Sequence, residues 1–112
     1  MKRIRADKSK LEGKENPPGI TRTTMSYDGL TMLCHFIMAQ GAKIPMHNHP
    51  AGQHGYVIRG RVRFLEKDGP GFVAEAGTSY LFEGAEYHGA EVLEDTELIE
   101  FFSPARPEYA DN

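Results

Sequence analysis

From Ile20 to Phe102, apolar and polar side chains alternate with a period of two, interrupted every few residues by glycine. Alternation of this kind belongs to strands with one face on a core. Over residues 31–38 it sets Met32, Cys34, Phe36 and Met38 on one face and Leu33, His35 and Ile37 on the other. Both faces are apolar enough for this strand to be covered on both sides, the second side by another subunit. Residues 56–59 and 61–66 are predicted as two strands pivoting at Gly60, and 67–71 as a turn from its composition. Strands over 72–75, 79–82, 88–93 and 97–102 complete the set. Short strands, Gly-containing turns and no helical periodicity predict an all-β domain, a sandwich or a barrel.

Residues 1–19 break the pattern. They are rich in Lys, Arg and Glu, end in Pro17-Pro18-Gly19, and read as a flexible, solvated arm ahead of one domain over 20–112. Asp7, Glu12 and Glu15 dilute the basic cluster of the arm, which argues against a phosphate-binding tail. A net charge of −3 offers no bulk attraction to nucleic acid or an anionic membrane. Cys34 is the one cysteine, so no internal disulfide is available. No apolar run approaches the roughly 18 residues that span a bilayer. The charged first residues lack the apolar stretch of a signal peptide, and the expected compartment is the cytoplasm.

The candidate chemistry begins at Gly41 and reads Gly41-x5-His47-x-His49-x3-Gln53-x6-Gly60. In an extended chain alternate side chains share a face, so His47 and His49 project together. Pro50, Ala51 and Gly52 then turn the chain and let Gln53 enter the adjacent strand. His88, eleven residues after Gly77, opens a strand that can return beside this cluster. An isolated His-x-His is a common surface pattern; the flanking glycines and the downstream histidine make this one a metal-site candidate. One divalent transition metal (Ni, Zn, Mn, Fe or Cu) is expected on His47, His49, Gln53 and His88. Gln53 is neutral, so such a metal keeps its full charge, acts as a strong Lewis acid and attracts anions. It lacks a ligand carboxylate to shuttle protons. His54 alternates with Gln53 and is expected to face away from the metal.

The Gly41–Gly60 run resembles the first sequence motif of the cupins, whose usual fourth named residue is Glu rather than Gln. Gly77 through His88 resembles the second, with Glu83 where Pro is usual and Ala85 where Gly is usual. The resemblance implies a small single-domain metal cupin, a β-barrel of the double-stranded β-helix, jelly-roll type. Residues 20–109 are also similar to the KdgF family, small cupins of pectin and alginate breakdown that open the ring of 4,5-unsaturated uronates into linear ketones. The similarity lies in length, the Gln ligand and an acid-x-Phe-Ser/Thr-Pro-x-Arg tail. Here that tail is Glu100-x-Phe102-Ser103-Pro104-x-Arg106, with Glu where the family has Asp. It implies an anionic small-molecule substrate, with Glu100 moving the proton, Phe102 as a platform and Arg106 gripping a carboxylate. From spacing alone these three read as an edge-strand Glu, a core Phe and a surface Arg. A cupin dioxygenase with a redox metal and a non-catalytic sugar-acid-binding cupin are the alternatives. A homodimer is expected through Leu33, His35 and Ile37, with the strand near residues 20–25 crossing to the partner's sheet.

Overall fold

The computed structural model describes residues 2–110; residue 1 of the expected arm and residues 111–112 of the expected domain lie outside them. Eight strands follow one another: β1 (Lys14–Glu15), β2 (Ile20–Tyr27), β3 (Met32–Met38), β4 (Lys43–His47), β5 (Gly52–Glu66), β6 (Phe72–Glu75), β7 (Ser79–Phe82) and β8 (His88–Ser103). Single 3-10 turns lie at Lys8–Lys10 and Pro107–Tyr109. Every strand pairing is antiparallel.

The long strands β5 and β8 make the barrel, because each serves two halves of the sheet. In one half the order is β1-β2-β3-β8-β5-β7; in the other, β4 and β6 flank the remaining parts of β8 and β5. Val57 pairs with Leu98 in the first half and Val62 with Val92 in the second, and all four are buried. Their alternate side chains meet in one core, which is the jelly-roll arrangement the motifs implied.

The sequence predicts breaks at Gly60 and between residues 93 and 97. The chain instead bends there while the ladder continues. Gly60 has φ 96°, and a Cβ on it would strike the Thr96 hydroxyl. That hydroxyl accepts the Arg61 amide at 3.1 Å and donates to the Glu94 carbonyl at 2.8 Å. The pairing register shifts at this point, as at a β-bulge. A bulge interrupts the period-two pattern without ending the strand, so its sequence looks like a turn.

Met32, Cys34, Phe36 and Met38 enter the core as the alternation requires. Burial pushes the Cys34 thiol up to about 11, in keeping with a small, unreactive core residue. His35 is buried on the other face, with Nε2 2.7 Å from the Glu97 carboxylate, which Arg59 also meets at 3.2 Å. Within the chain β2 pairs with β3, Thr23 against His35. The segment read as an arm is laid along β2. Lys14 and Glu15 pair with Arg22 and Thr21, Arg3 bridges Tyr27, and the Arg3 guanidinium donates to the Thr24 carbonyl at 2.9 Å. Among the described residues no helix is long and apolar enough to cross a membrane.

Ala85, where the motif usually has Gly, holds φ 67°. This left-handed backbone lets its amide reach the His49 carbonyl at 2.8 Å. A Cβ in that region costs about 1–2 kcal/mol, partly offset by the looser unfolded chain of glycine. Ala85→Gly is therefore expected to stabilise the protein by about 0.5–1 kcal/mol in denaturant titration. A destabilised variant would show that the methyl packs favourably.

Candidate metal centre

His47 closes β4 and pairs with His88, the first residue of β8. His49 does not continue the strand as the extended reading required. It sits in the loop between β4 and β5, braced by the Ala85 amide on its carbonyl and by Asn48 Nδ2 on the Ala85 carbonyl at 3.1 Å. The loop still delivers its ring: the three ring centroids lie 4.6–5.6 Å apart. One nitrogen from each histidine falls within 4.8 Å of the others. His49, His88 and Gln53 are buried, and His47 closes the cluster at the rim.

Two of the three imidazoles are aimed by backbone carbonyls. His47 Nδ1 lies 2.9 Å from the Pro45 carbonyl, and His88 Nδ1 lies 2.9 Å from the Glu86 carbonyl. A carbonyl only accepts, so both Nδ1 atoms carry the proton and both Nε2 atoms keep a free lone pair. His88 is clamped further by stacking on Phe82 at 4.4 Å. Burial, reinforced by the neighbouring histidines against the Glu86 carbonyl, pushes His88 down to about 4. Burial and then the Arg106 charge also lower His49. Both rings are thus neutral at pH 7, the state a metal ligand needs.

Gln53 enters at the start of β5, where it pairs with Phe82 of β7 and Phe102 of β8. Its Nε2 donates to Glu100 Oε2 at 2.9 Å, which turns Oε1 toward His49 Nε2, also 2.9 Å away. Two donors each about 2.1 Å from one ion at right angles are about 3.0 Å apart. The His49–Gln53 separation fits two neighbouring ligands of a single ion. When bound, a divalent ion here would supply Lewis-acid polarisation of an oxygen on the substrate.

Glu100 faces the same cavity, and Tyr80 explains how it is held. Gly55 lies between them, paired with Tyr80 on β7 and with Glu100 on β8. A Cβ on Gly55 would collide with the Tyr80 ring. Without one, the phenol crosses the middle strand and donates to Glu100 Oε2 at 2.6 Å. Tyr80 and Gln53 therefore both bond Oε2, and Oε1 has no hydrogen bond among the described residues. Burial pushes the Glu100 carboxyl up to about 7, while the Tyr80 hydroxyl, the Arg106 charge and the Gln53 amide pull it back.

The remaining sequence candidates come together here. Phe102 is buried, its ring 6.0 Å from that of His49. Arg106 follows the Pro104 turn, lines the cavity and lies 5.1 Å from the Phe102 ring. His54 is exposed on the opposite face, as its alternation with Gln53 requires. The cavity holds about 520 Å³ of empty space, open solvent at its mouth included. Histidine, Gln53, Glu100 and Arg106 form its polar end; Ile20, Phe36, Met38 and Ile44 form an apolar wall. Asn16 and Pro17, from the segment read as an arm, close one side. Sequence reasoning missed these two, Tyr80 and Tyr109. Gly55 inside a strand marks a close approach, but nothing local in the sequence names Tyr80 as the group that approaches.

A family model described as Cupin domain matches residues 34–102. No curated protein matches the chain. Among solved structures, an RmlC-like cupin from Shewanella frigidimarina is 26% identical, with TM-score 0.88 and 96% of each chain covered. KdgF from Halomonas sp. is 25% identical, with TM-score 0.84, covering 92% of this chain and 96% of that one. The oxalate decarboxylase of Lactobacillus farciminis, 20% identical with TM-score 0.77, covers 98% of this chain and 36% of that chain, and shares the fold alone.

Proposed function

This chain belongs to the cupin family, and from that premise we propose that it is a metal-dependent enzyme opening the ring of a 4,5-unsaturated uronate to a linear ketone. The observation that carries the reading is the placement of Glu100 against the Gln53 ligand with Arg106 in the same cavity. The likeness to KdgF supports the substrate class. Arg106 would bind the carboxylate and Phe102 would carry the flat, unsaturated part of the ring. Glu100 would take the proton from the ring hydroxyl as the ring C–O bond breaks and return one to carbon. The reaction is an isomerisation and needs no oxidant. Its test has two steps. Elemental analysis of untagged protein identifies the native metal. Protein carrying that metal should then remove the ultraviolet absorbance of the conjugated double bond faster than the spontaneous reaction. Parity with the spontaneous rate would end the uronate reading. A redox-inert metal in active protein would exclude a dioxygenase.

The working unit is proposed to be a homodimer. The outer apolar face is wider than the Leu33, His35 and Ile37 strip read from the sequence. Leu33, Phe101, His54 and Leu81 form one row across β3, β8, β5 and β7. Tyr56, Leu81 and Phe101 are 46%, 51% and 42% exposed, a patch of the kind that marks an interface. Sedimentation at micromolar concentration should give a dimer, and Phe101→Asp with Leu81→Asp should give a monomer. A monomeric wild type would refute the interface.

A further inference from the structure

Tyr109 lies beyond every residue of the metal centre, yet two guanidinium groups and a hydroxyl converge on it. The Cζ of Arg22, on β2, is 3.9 Å from its ring centroid, and the Cζ of Arg106 is 4.0 Å away. Thr24, two residues along β2, donates its hydroxyl to the Tyr109 carbonyl at 2.7 Å and accepts Arg22 Nε at 3.2 Å. The ring edge meets Phe102 at 5.7 Å. Arg22 is only 9% exposed, and no carboxylate of the described residues pairs with it. A buried guanidinium gains from polar and aromatic partners, and among the described residues these are the Thr24 hydroxyl and the Tyr109 ring. β2 thus grips the 3-10 turn through ring and backbone together.

The turn in its turn fixes Arg106. Its Nε and Nη2 both donate to Glu108 Oε2, at 3.3 and 3.2 Å, so Glu108 takes the long edge of the guanidinium. Tyr109 and Phe102 take its plane. Among the described residues Nη1 has no hydrogen bond, and Arg106 lines the cavity. The Nη1/Nη2 edge has the two-donor geometry that matches a planar carboxylate.

We propose that Tyr109, held by Arg22 and Thr24, is the specificity-determining residue that sets the Arg106 guanidinium edge-on to the cavity and so selects a carboxylate substrate. The selection rests on the preceding reading, in which Arg106 binds the substrate; the holding of Arg106 does not. Two measurements separate them. The first is the side-chain Nε–H resonance of Arg106, assigned with Arg106→Lys. It should stand apart from the exposed arginines in wild type, Tyr109→Phe and Arg22→Lys, and collapse toward them in Tyr109→Leu and Arg22→Met. An unmoved resonance in both disruptive variants overturns the proposal. The second compares the uronate with its neutral methyl ester. In Tyr109→Leu the KM for the acid should rise about tenfold, with kcat within about threefold and the ester unaffected. An equal rise for both would overturn selection. Wild type inactive on either substrate would sink the uronate reading and leave the resonance to decide this one. If Tyr109→Leu does not fold, Arg22→Met carries both arms.

Discussion

His88→Ala is expected to strip the protein of most of its metal. The imidazole is one of three that place a nitrogen within 4.8 Å of the others. Its tautomer is fixed by the Glu86 carbonyl and its ring by Phe82, so the site invests more of its geometry in His88 than in rim-placed His47. Losing only an outer hydrogen-bond partner of a ligand typically costs 10–100-fold in affinity, so losing the ligand itself should cost at least about 100-fold. Elemental analysis and chelator competition on untagged protein measure it. His54→Ala is the matched control, because His54 sits on the same strand as Gln53 but on the exposed face. Full occupancy in His88→Ala, or equal loss in His54→Ala, would refute the four-ligand assignment. Gln53→Glu should hold the metal more tightly, since a carboxylate replaces an amide. It should also place a second negative charge against Glu100, 2.9 Å from the present amide nitrogen.

The grouping of the three histidines was legible because their spacing is local. His47, Gln53 and His88 lie at strand ends whose spacing the motif records, and the alternation that hides His54 is a property of one strand. The proposed roles of Glu100, Phe102 and Arg106 rest on likeness to a family, since a Glu and a Phe two apart on a strand also describe an ordinary edge. Tyr80 was beyond reach for a different reason. Its bond to Glu100 depends on β7 and β8 flanking β5 at Gly55, a three-strand juxtaposition with no short-range trace. Arg22 and Tyr109 are separated by most of the chain, and the sequence gives no sign that the ends meet. Residues 14–19 read as part of an arm because charge and proline suggest solvation. A two-residue pairing with β2 suffices to bring Asn16 and Pro17 to the cavity.

Glu100→Gln should keep the metal and the fold but lose turnover. The two bonds that hold Glu100 both end on Oε2, given by Tyr80 and Gln53, and an amide oxygen can accept both, though more weakly than a carboxylate. The variant therefore preserves the contacts and removes the proton-carrying group. A metal held by three imidazoles and an amide would offer no ligand carboxylate to replace it. General acid–base catalysis by a positioned side chain is worth about 10²–10⁴-fold, and kcat should fall within that range at unchanged metal content. Glu100→Asp tests reach instead: one methylene shorter, its carboxylate cannot keep the 2.6 Å bond to Tyr80 without moving β8, so an intermediate loss is expected. Arg106→Ala should act differently, raising the apparent KM for an anionic substrate by about 10–100-fold and leaving kcat nearer wild type, because the clamp works mainly in binding. Steady-state kinetics on the metal-loaded variants separates the two roles. Glu100→Gln with wild-type kcat would remove Glu100 from the chemistry and move the search for the proton carrier to a group outside this cavity wall.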